Sequence, residues 1–212
     1  MIQQKIFNFD FEADYSTENF FVSRSNINAY KQILNNENSL NNILLKGPSK
    51  SGKTHLGLLW KKNNNGITYS NDDFRNILNQ KRNIFYDNLF SNLNEEHLFH
   101  LINHCFNNNL KIIICTEKSL SEYNFKIADL SSRLKSFHFV EIKDPDDKLL
   151  NNLFMKLLND KQIIITNNEV FSFITKRIHR TYLDVYRFVE KIDKLTLEKK
   201  RELTIPLIKE LL

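Results

Sequence analysis

Two short stretches carry the residues whose types and spacing can do chemistry. The first is "GPSKSGKT", residues 47–54, which satisfies G-x-x-x-x-G-K-[ST] at Gly47, Gly52, Lys53 and Thr54. This spacing lets successive backbone N–H groups wrap around a phosphate, because glycine tolerates the φ values and the close approach that the wrap requires. Lys53 supplies neutralising charge and Thr54 a hydroxyl for Mg²⁺, while a helix starting near Gly52 turns its positive end toward the anion. The candidate site for ADP or ATP is therefore Gly47, Pro48, Ser49, Lys50, Ser51, Gly52, Lys53, Thr54 and the adjacent His55. An apolar run, "NILLK", precedes the loop and a helical pattern, "THLGLLWKK", follows it. That context separates the motif from a chance turn, and two of the chain's four glycines are spent on it.

The second stretch is "NIFYD". Asp87 ends its apolar run, where a carboxylate joins Thr54 in holding Mg²⁺; the plainer alternative is a polar strand end. The following position commonly carries a second acid that orients the attacking water, and here it is Asn88. An amide cannot accept a proton, so weak or absent intrinsic ATPase activity is expected.

The elements that must position these residues follow from the hydrophobic pattern. Short apolar runs at 42–45, 67–70, 83–87, 111–116 and 137–142 alternate with helical periodicity, such as Leu98, Leu101, Ile102 and Cys105 at i, i+3, i+4 and i+7. Strands separated by helices imply an α/β fold whose parallel, five-stranded sheet is covered on both faces. After "IKDPDD" only helical patterns remain. Asp144 is expected to cap, and Pro145 to open, a helix bearing Leu150, Leu153, Phe154 and Leu157. Further helices are expected around Val170, Phe173, Ile174 and Ile178, around Tyr182, Val185, Tyr186, Val189 and Ile192, and from Pro206. The division is a tail over 1–15, an α/β nucleotide-binding domain over 16–143 and an all-helical domain over 144–212.

Composition excludes several classes. Hydrophobic residues at 41% and charged residues at 26% suit a globular domain, and no run of about 18 apolar residues offers a membrane span. The start, "MIQQKIFNFDF", lacks the basic end and apolar centre of a signal peptide, so a cytoplasmic location is expected. Cys105 and Cys115 each sit in an apolar pattern, which favours reduced core thiols. The net charge of +5 is spread along the sequence with acidic neighbours, which argues for little direct DNA binding. His97, His100 and His104 flank an apolar helical stripe, and a solvated face explains them better than a metal.

Taken together, "ENFFVSRSNINAY", "SGKTHL", "YDN", "ADLSSRL" and "LTIPLIKELL" resemble the AAA+ module of the DnaA replication-initiator family, and within it the small Hda-like regulators. The resemblance runs over nearly the whole chain, and "DLSSRL" and the terminal "LTIP" stretch are its most specific parts. It implies a P-loop AAA+ domain followed by a helical lid. It places Thr116, at the end of "IIICT", at sensor 1, with an ordinary strand-end turn as the alternative. It makes Arg133 in "SSRL" the arginine finger offered in trans, with a solvated helix-end charge as the alternative. The sensor 2 arginine would fall at Leu183, which leaves Arg180 as a substitute. Gln4, Phe7 and Phe9 in "QQKIFNFDF" resemble the peptide that binds the DNA polymerase III sliding clamp (the beta subunit), with the register Gln3, Ile6, Phe7 and an ordinary first strand as alternatives.

By that resemblance the expected role is a regulator of replication initiation that binds adenine nucleotide and the clamp and stimulates hydrolysis of the ATP held by DnaA. The chain stops after "KELL", where initiators continue into a helix-turn-helix domain, and 34 positions separate Lys53 from Asp87, little room for extra strand-binding helices. Both features favour a regulator over an initiator. A stand-alone P-loop enzyme such as a small-molecule kinase, and an adaptor or loader that does not stimulate hydrolysis, are the alternatives. A homo-oligomer stays open.

Overall fold

The structure is a computed structural model that describes residues 15–34, 42–91, 93–165, 168–199 and 203–211. Five strands, β1 (Asn42–Lys46), β2 (Gly66–Thr68), β3 (Asn83–Tyr86), β4 (Ile112–Thr116) and β5 (His138–Glu141), form one sheet. Their order is β2-β3-β4-β1-β5 and every pairing is parallel. Alternate residues of each strand face opposite sides, as pleating demands. Ile43, Leu45, Phe85, Ile113 and Cys115 join one apolar cluster, whereas Leu44, Ile84, Tyr86, Ile112 and Ile114 join the other. All five residues of β4 are buried, which explains why a central parallel strand reads as an unbroken apolar run.

Helices α1 (Ile27–Leu34) and α2 (Lys53–Asn63) cover the first face. Helices α3 (Phe74–Asn79), α4 (Glu95–Asn107) and α5 (Ala128–Lys135) cover the second. The packing of α2 depends on Gly57. A Cβ at that position would lie 2.1 Å from Cε2 of Phe85, so only glycine lets the helix that starts at the phosphate loop lie this close to β3. The start of α4 is fixed by Asn94, whose side chain accepts the His97 N–H at 3.1 Å, and by Glu95 and Glu96 in its first turn.

Helices α6 (Asp147–Asp160), α7 (Asn168–Thr175), α8 (Tyr182–Lys199) and α9 (Ile205–Lys209) share a third cluster built on Leu150, Phe154, Leu158, Val185 and Ile192. The cap of α6 differs from the sequence expectation. Asp146, not Asp144, accepts the Leu149 N–H at 2.8 Å, and Pro145 precedes the cap instead of opening the helix. A capping carboxylate accepts the N–H two or three residues further on, and Asp146, immediately before the first helical residue Asp147, has that spacing to Leu149. Helix α7 ends before Ile178, which packs against the same cluster from the following turn.

Candidate functional site

The loop between β1 and α2 lies at the carboxyl ends of the strands, where parallel sheets open a crevice. Gly52 holds φ +93°, a left-handed value that suits glycine, and the loop turns there into α2. The Gly47 N–H donates to the Thr116 carbonyl at 3.1 Å, which ties the loop to the end of β4. Lys53 is buried and donates to the carbonyls of Gly47 at 2.9 Å and Pro48 at 2.7 Å. Burial lowers its pKa, against the opposing pull of Glu117, whose carboxylate stands 3.7 Å away.

Thr54 Oγ1 donates to Asp87 Oδ2 at 2.8 Å, so the hydroxyl and the carboxylate proposed for Mg²⁺ meet although 33 positions separate them. Thr116 is buried at the end of β4, and its hydroxyl donates to the Lys118 carbonyl at 2.9 Å. Asn88 follows Asp87 with φ +52°, a conformation that asparagine tolerates better than most residues. The residue at this position thus answers to the backbone as well as to the missing acid.

His55 joins the loop to the segment before α1. Its Nε2 lies 2.8 Å from the Ser16 carbonyl, and the rings of Tyr15 and Phe20 both meet it edge-on with centroids 5.4 Å away. The loop also touches α8, where Lys50 Nζ stands 5.3 Å from the centroid of the Tyr186 ring. Tyr186 and Glu117 were not singled out by the motifs. Tyr186 lies within an apolar helical stripe, and the only signal for Glu117 is its place beside Thr116. Arg180 forms an ion pair with Asp147 at 3.2 Å, and Leu183 lies one residue into α8.

The fit of a nucleotide to these residues rests on more than the motif. Ser51 Oγ is buried without a hydrogen-bond partner in the loop, a group that an added acceptor satisfies. Lys53, likewise, spends its charge on two neutral carbonyls and one distant carboxylate. The donor set suits a phosphate with Mg²⁺.

Arg133 is in the last turn of α5. Leu130 and Leu134 anchor that helix in the second apolar cluster. On its other side, Arg133 Nε donates to Asp129 Oδ2 at 2.9 Å, and the guanidinium lies over the Phe99 ring at 5.4 Å. The side chain stays partly exposed. Glu95 sets the approach to α5 by accepting the N–H groups of Ile127 at 2.9 Å and Lys126 at 3.2 Å. Burial opposes its ionisation, yet these bonds hold its carboxyl below the usual range. His97 stacks on Phe74 with centroids 3.8 Å apart, and His104 Nε2 meets the Gln80 carbonyl at 3.3 Å. Gln4, Phe7 and Phe9 lie outside the described residues.

Comparison with known proteins agrees with this architecture. Residues 154–212 match the family model described as Hda, lid domain. The chain is 27% identical to the chromosomal replication initiator protein DnaA of Buchnera aphidicola subsp. Cinara cedri (strain Cc), over 93% of this chain and 52% of that protein. It spans about half the length of the curated relatives it matches. Among solved structures, domain III of the Thermotoga maritima replication initiation protein DnaA superposes with a TM-score of 0.75 at 18% identity, covering 95% of this chain and 96% of that one. AMPPCP-bound DnaA from Aquifex aeolicus gives 0.65 at 22% identity, over 88% and 68%. The lid match, the relatives and the parallel five-stranded sheet together give this chain an α/β AAA+ fold with a lid similar to that of Hda, and a similarity to DnaA that runs over 93% of its length.

Proposed function

We propose that the protein is a nucleotide-bound regulator of replication initiation that stimulates hydrolysis of the ATP held by DnaA. The observation that carries this reading is a division of parts. The loop, with Lys53 beside Glu117 and Thr54 hydrogen-bonded to Asp87, carries the groups that would hold a nucleotide, while Asn88 stands where the water-orienting acid would be. Residues Gly47 to His55 would hold ADP or ATP, and Thr54 with Asp87 would hold Mg²⁺; the bound metal supplies charge neutralisation between phosphates.

Such a protein acts on a neighbour's nucleotide rather than its own. Arg133 is suited to that role, because Leu130 and Leu134 fix its helix and Asp129 and Phe99 orient its guanidinium while leaving it partly exposed. A finger supplied in trans is worth about 10³ to 10⁵ in rate. Gln4, Phe7 and Phe9 would dock on the sliding clamp as an extended peptide, which brings the regulator to DnaA on DNA.

The test mixes the protein with ATP-bound DnaA and DNA-loaded clamp and measures ADP formation. Wild type should accelerate it, Lys53→Ala should lose nucleotide binding, and Arg133→Ala should keep nucleotide and clamp binding yet lose stimulation. Lysine at 133 should rescue poorly, because it lacks the planar guanidinium fork. Brisk ATP turnover by the isolated protein would sink this reading and favour a stand-alone P-loop enzyme. Clamp binding without any stimulation would favour an adaptor.

A further inference from the structure

The cations look dispersed along the sequence, but the parallel fold gathers a group of them. In such a sheet every strand starts at the same edge, here the edge opposite the phosphate loop. Lys61 and Lys62 end α2 just before β2, Lys81 and Arg82 precede β3, and Lys111 precedes β4. Strands β2, β3 and β4 are neighbours, so the strand starts that these five cations flank span about 10 Å of sheet edge. The segments 61–66, 79–83 and 106–111 that form the edge contain no Asp or Glu. None of the five cations forms an ion pair with a described residue.

The edge is built as a rigid ridge. Arg82 donates to the carbonyls of Asn65 at 3.2 Å and Gly66 at 3.1 Å and to Asn65 Oδ1 at 3.0 Å, through Nε and one terminal nitrogen of its fork. Asn83 bridges the turns, donating to the Asn64 carbonyl at 2.6 Å and accepting the Lys111 N–H at 2.7 Å. Asn65 and Asn109 end the turns after α2 and α4 in the left-handed conformation, with φ +48° and +53°. A hollow of about 440 Å³, lined by Lys61, Lys62, Asn65 and Arg82 over Leu58 and Leu59 and closed on one side by the half-exposed ring of Tyr15, opens beside it. Cations and amides without a carboxylate match phosphate oxygens, which take most protein contacts on a duplex. Single strands need a platform of aromatic rings, and among the described residues of these three segments Phe106 is the only exposed aromatic, with 75% of its surface free.

We propose that this edge binds the phosphate backbone of a nucleic-acid duplex without reading its sequence, through Lys61, Lys62, Lys81, Arg82 and Lys111. The site is separate from the phosphate loop and does not depend on its occupant.

The test is fluorescence anisotropy of a labelled 20-base-pair DNA duplex with the full chain. The main variant is Lys62→Gln/Lys81→Gln/Lys111→Gln, whose three ammonium groups make no hydrogen bond to a described residue, so the fold should survive. It should weaken duplex binding by about tenfold or more at low salt and reduce the slope of log affinity against log salt by about 3, because each phosphate contact contributes about 0.9. Nucleotide binding and melting temperature, read in parallel, should stay at wild-type values. Lys148→Gln/Lys176→Gln/Lys191→Gln removes the same charge from the helical part and should leave binding within about twofold. Arg82→Gln should weaken binding in the same direction with a smaller change in slope. The proposal is overturned if wild type does not bind the duplex, or if the helical control loses as much as the edge variant. It is equally overturned if poly-glutamate competes as well as unlabelled duplex. Tighter binding of an oligo-dT strand, abolished by Phe106→Ala, would overturn it in favour of a single-strand site.

Discussion

Replacing Gly57 by alanine should destabilise the protein, although alanine is the better helix former. Helix propensity alone favours alanine over an interior glycine by about 0.8 to 1 kcal/mol. Against this, the added Cβ would sit 2.1 Å from Cε2, 2.6 Å from Cζ and 2.9 Å from Cδ2 of Phe85. Phe85 is 1% exposed and belongs to the core between α2 and the sheet, so its ring has no free space to enter. Overpacking of this kind costs about 1 to 3 kcal/mol, and an overlap with three ring atoms belongs at the upper end of that range. The net loss is then about 1 to 2 kcal/mol, which lowers the melting temperature by roughly 2 to 8 °C in a chain of this size. Differential scanning fluorimetry and urea titration measure it directly. The displacement should also reach the site, because Gly57 lies three residues after Thr54 and Phe85 two before Asp87. Adenine-nucleotide affinity, measured by calorimetry, should fall in parallel. Gly57→Ala/Phe85→Leu should show a favourable coupling in a double-mutant cycle, since the smaller side chain makes room. A Gly57→Ala protein that melts above wild type would refute the reasoning, because propensity and not packing would then dominate.

Two further outcomes follow from the site and the lid. Lys53 should titrate below the 10.5 of a free lysine, since burial disfavours its charge, and should move upward when MgADP supplies a phosphate partner. With a lowered folded pKa the unfolded chain binds more protons, so stability should rise with pH from the lowered value up to 10.5; ¹³C-NMR of the lysine side chain tests the shift, and an apo value at or above 10.5 would contradict it. Asp146→Ala should cost about 1 kcal/mol through loss of the α6 cap. The N–H of Leu149 holds the Asp146 carboxyl below its ordinary 3.8, so this stabilisation is full above that value and fades as pH falls through the lowered one. Acid melting curves of wild type and variant should converge there, and a constant gap would exclude the cap as its source.

The sequence by itself determined the parts whose physics is local. The loop from Gly47 to Thr54 is legible because phosphate wrapping needs glycines and a lysine at fixed spacing within one turn of chain. The strands are legible because a central parallel strand, buried on both faces, must be apolar throughout, as Ile112 to Thr116 nearly are. Even local reading slipped by two residues at Asp144, where several carboxylates competed and only the place where the helix starts, at Asp147, chose Asp146. Tertiary structure decided whatever depends on two distant segments meeting. It brought Thr54 to Asp87, Glu117 to Lys53 and Tyr186 to Lys50, and it required a glycine at 57 because Phe85 lies against it. It also laid the Phe99 ring of α4 under the Arg133 guanidinium, whose other neighbour, Asp129, is one turn earlier in the same helix. The cations of the strand-start edge make the same point. Along the chain Lys61–Lys62, Lys81–Arg82 and Lys111 are separated by whole secondary-structure elements, but parallel strands place all their starting points side by side, so charge far apart in sequence becomes gathered in space.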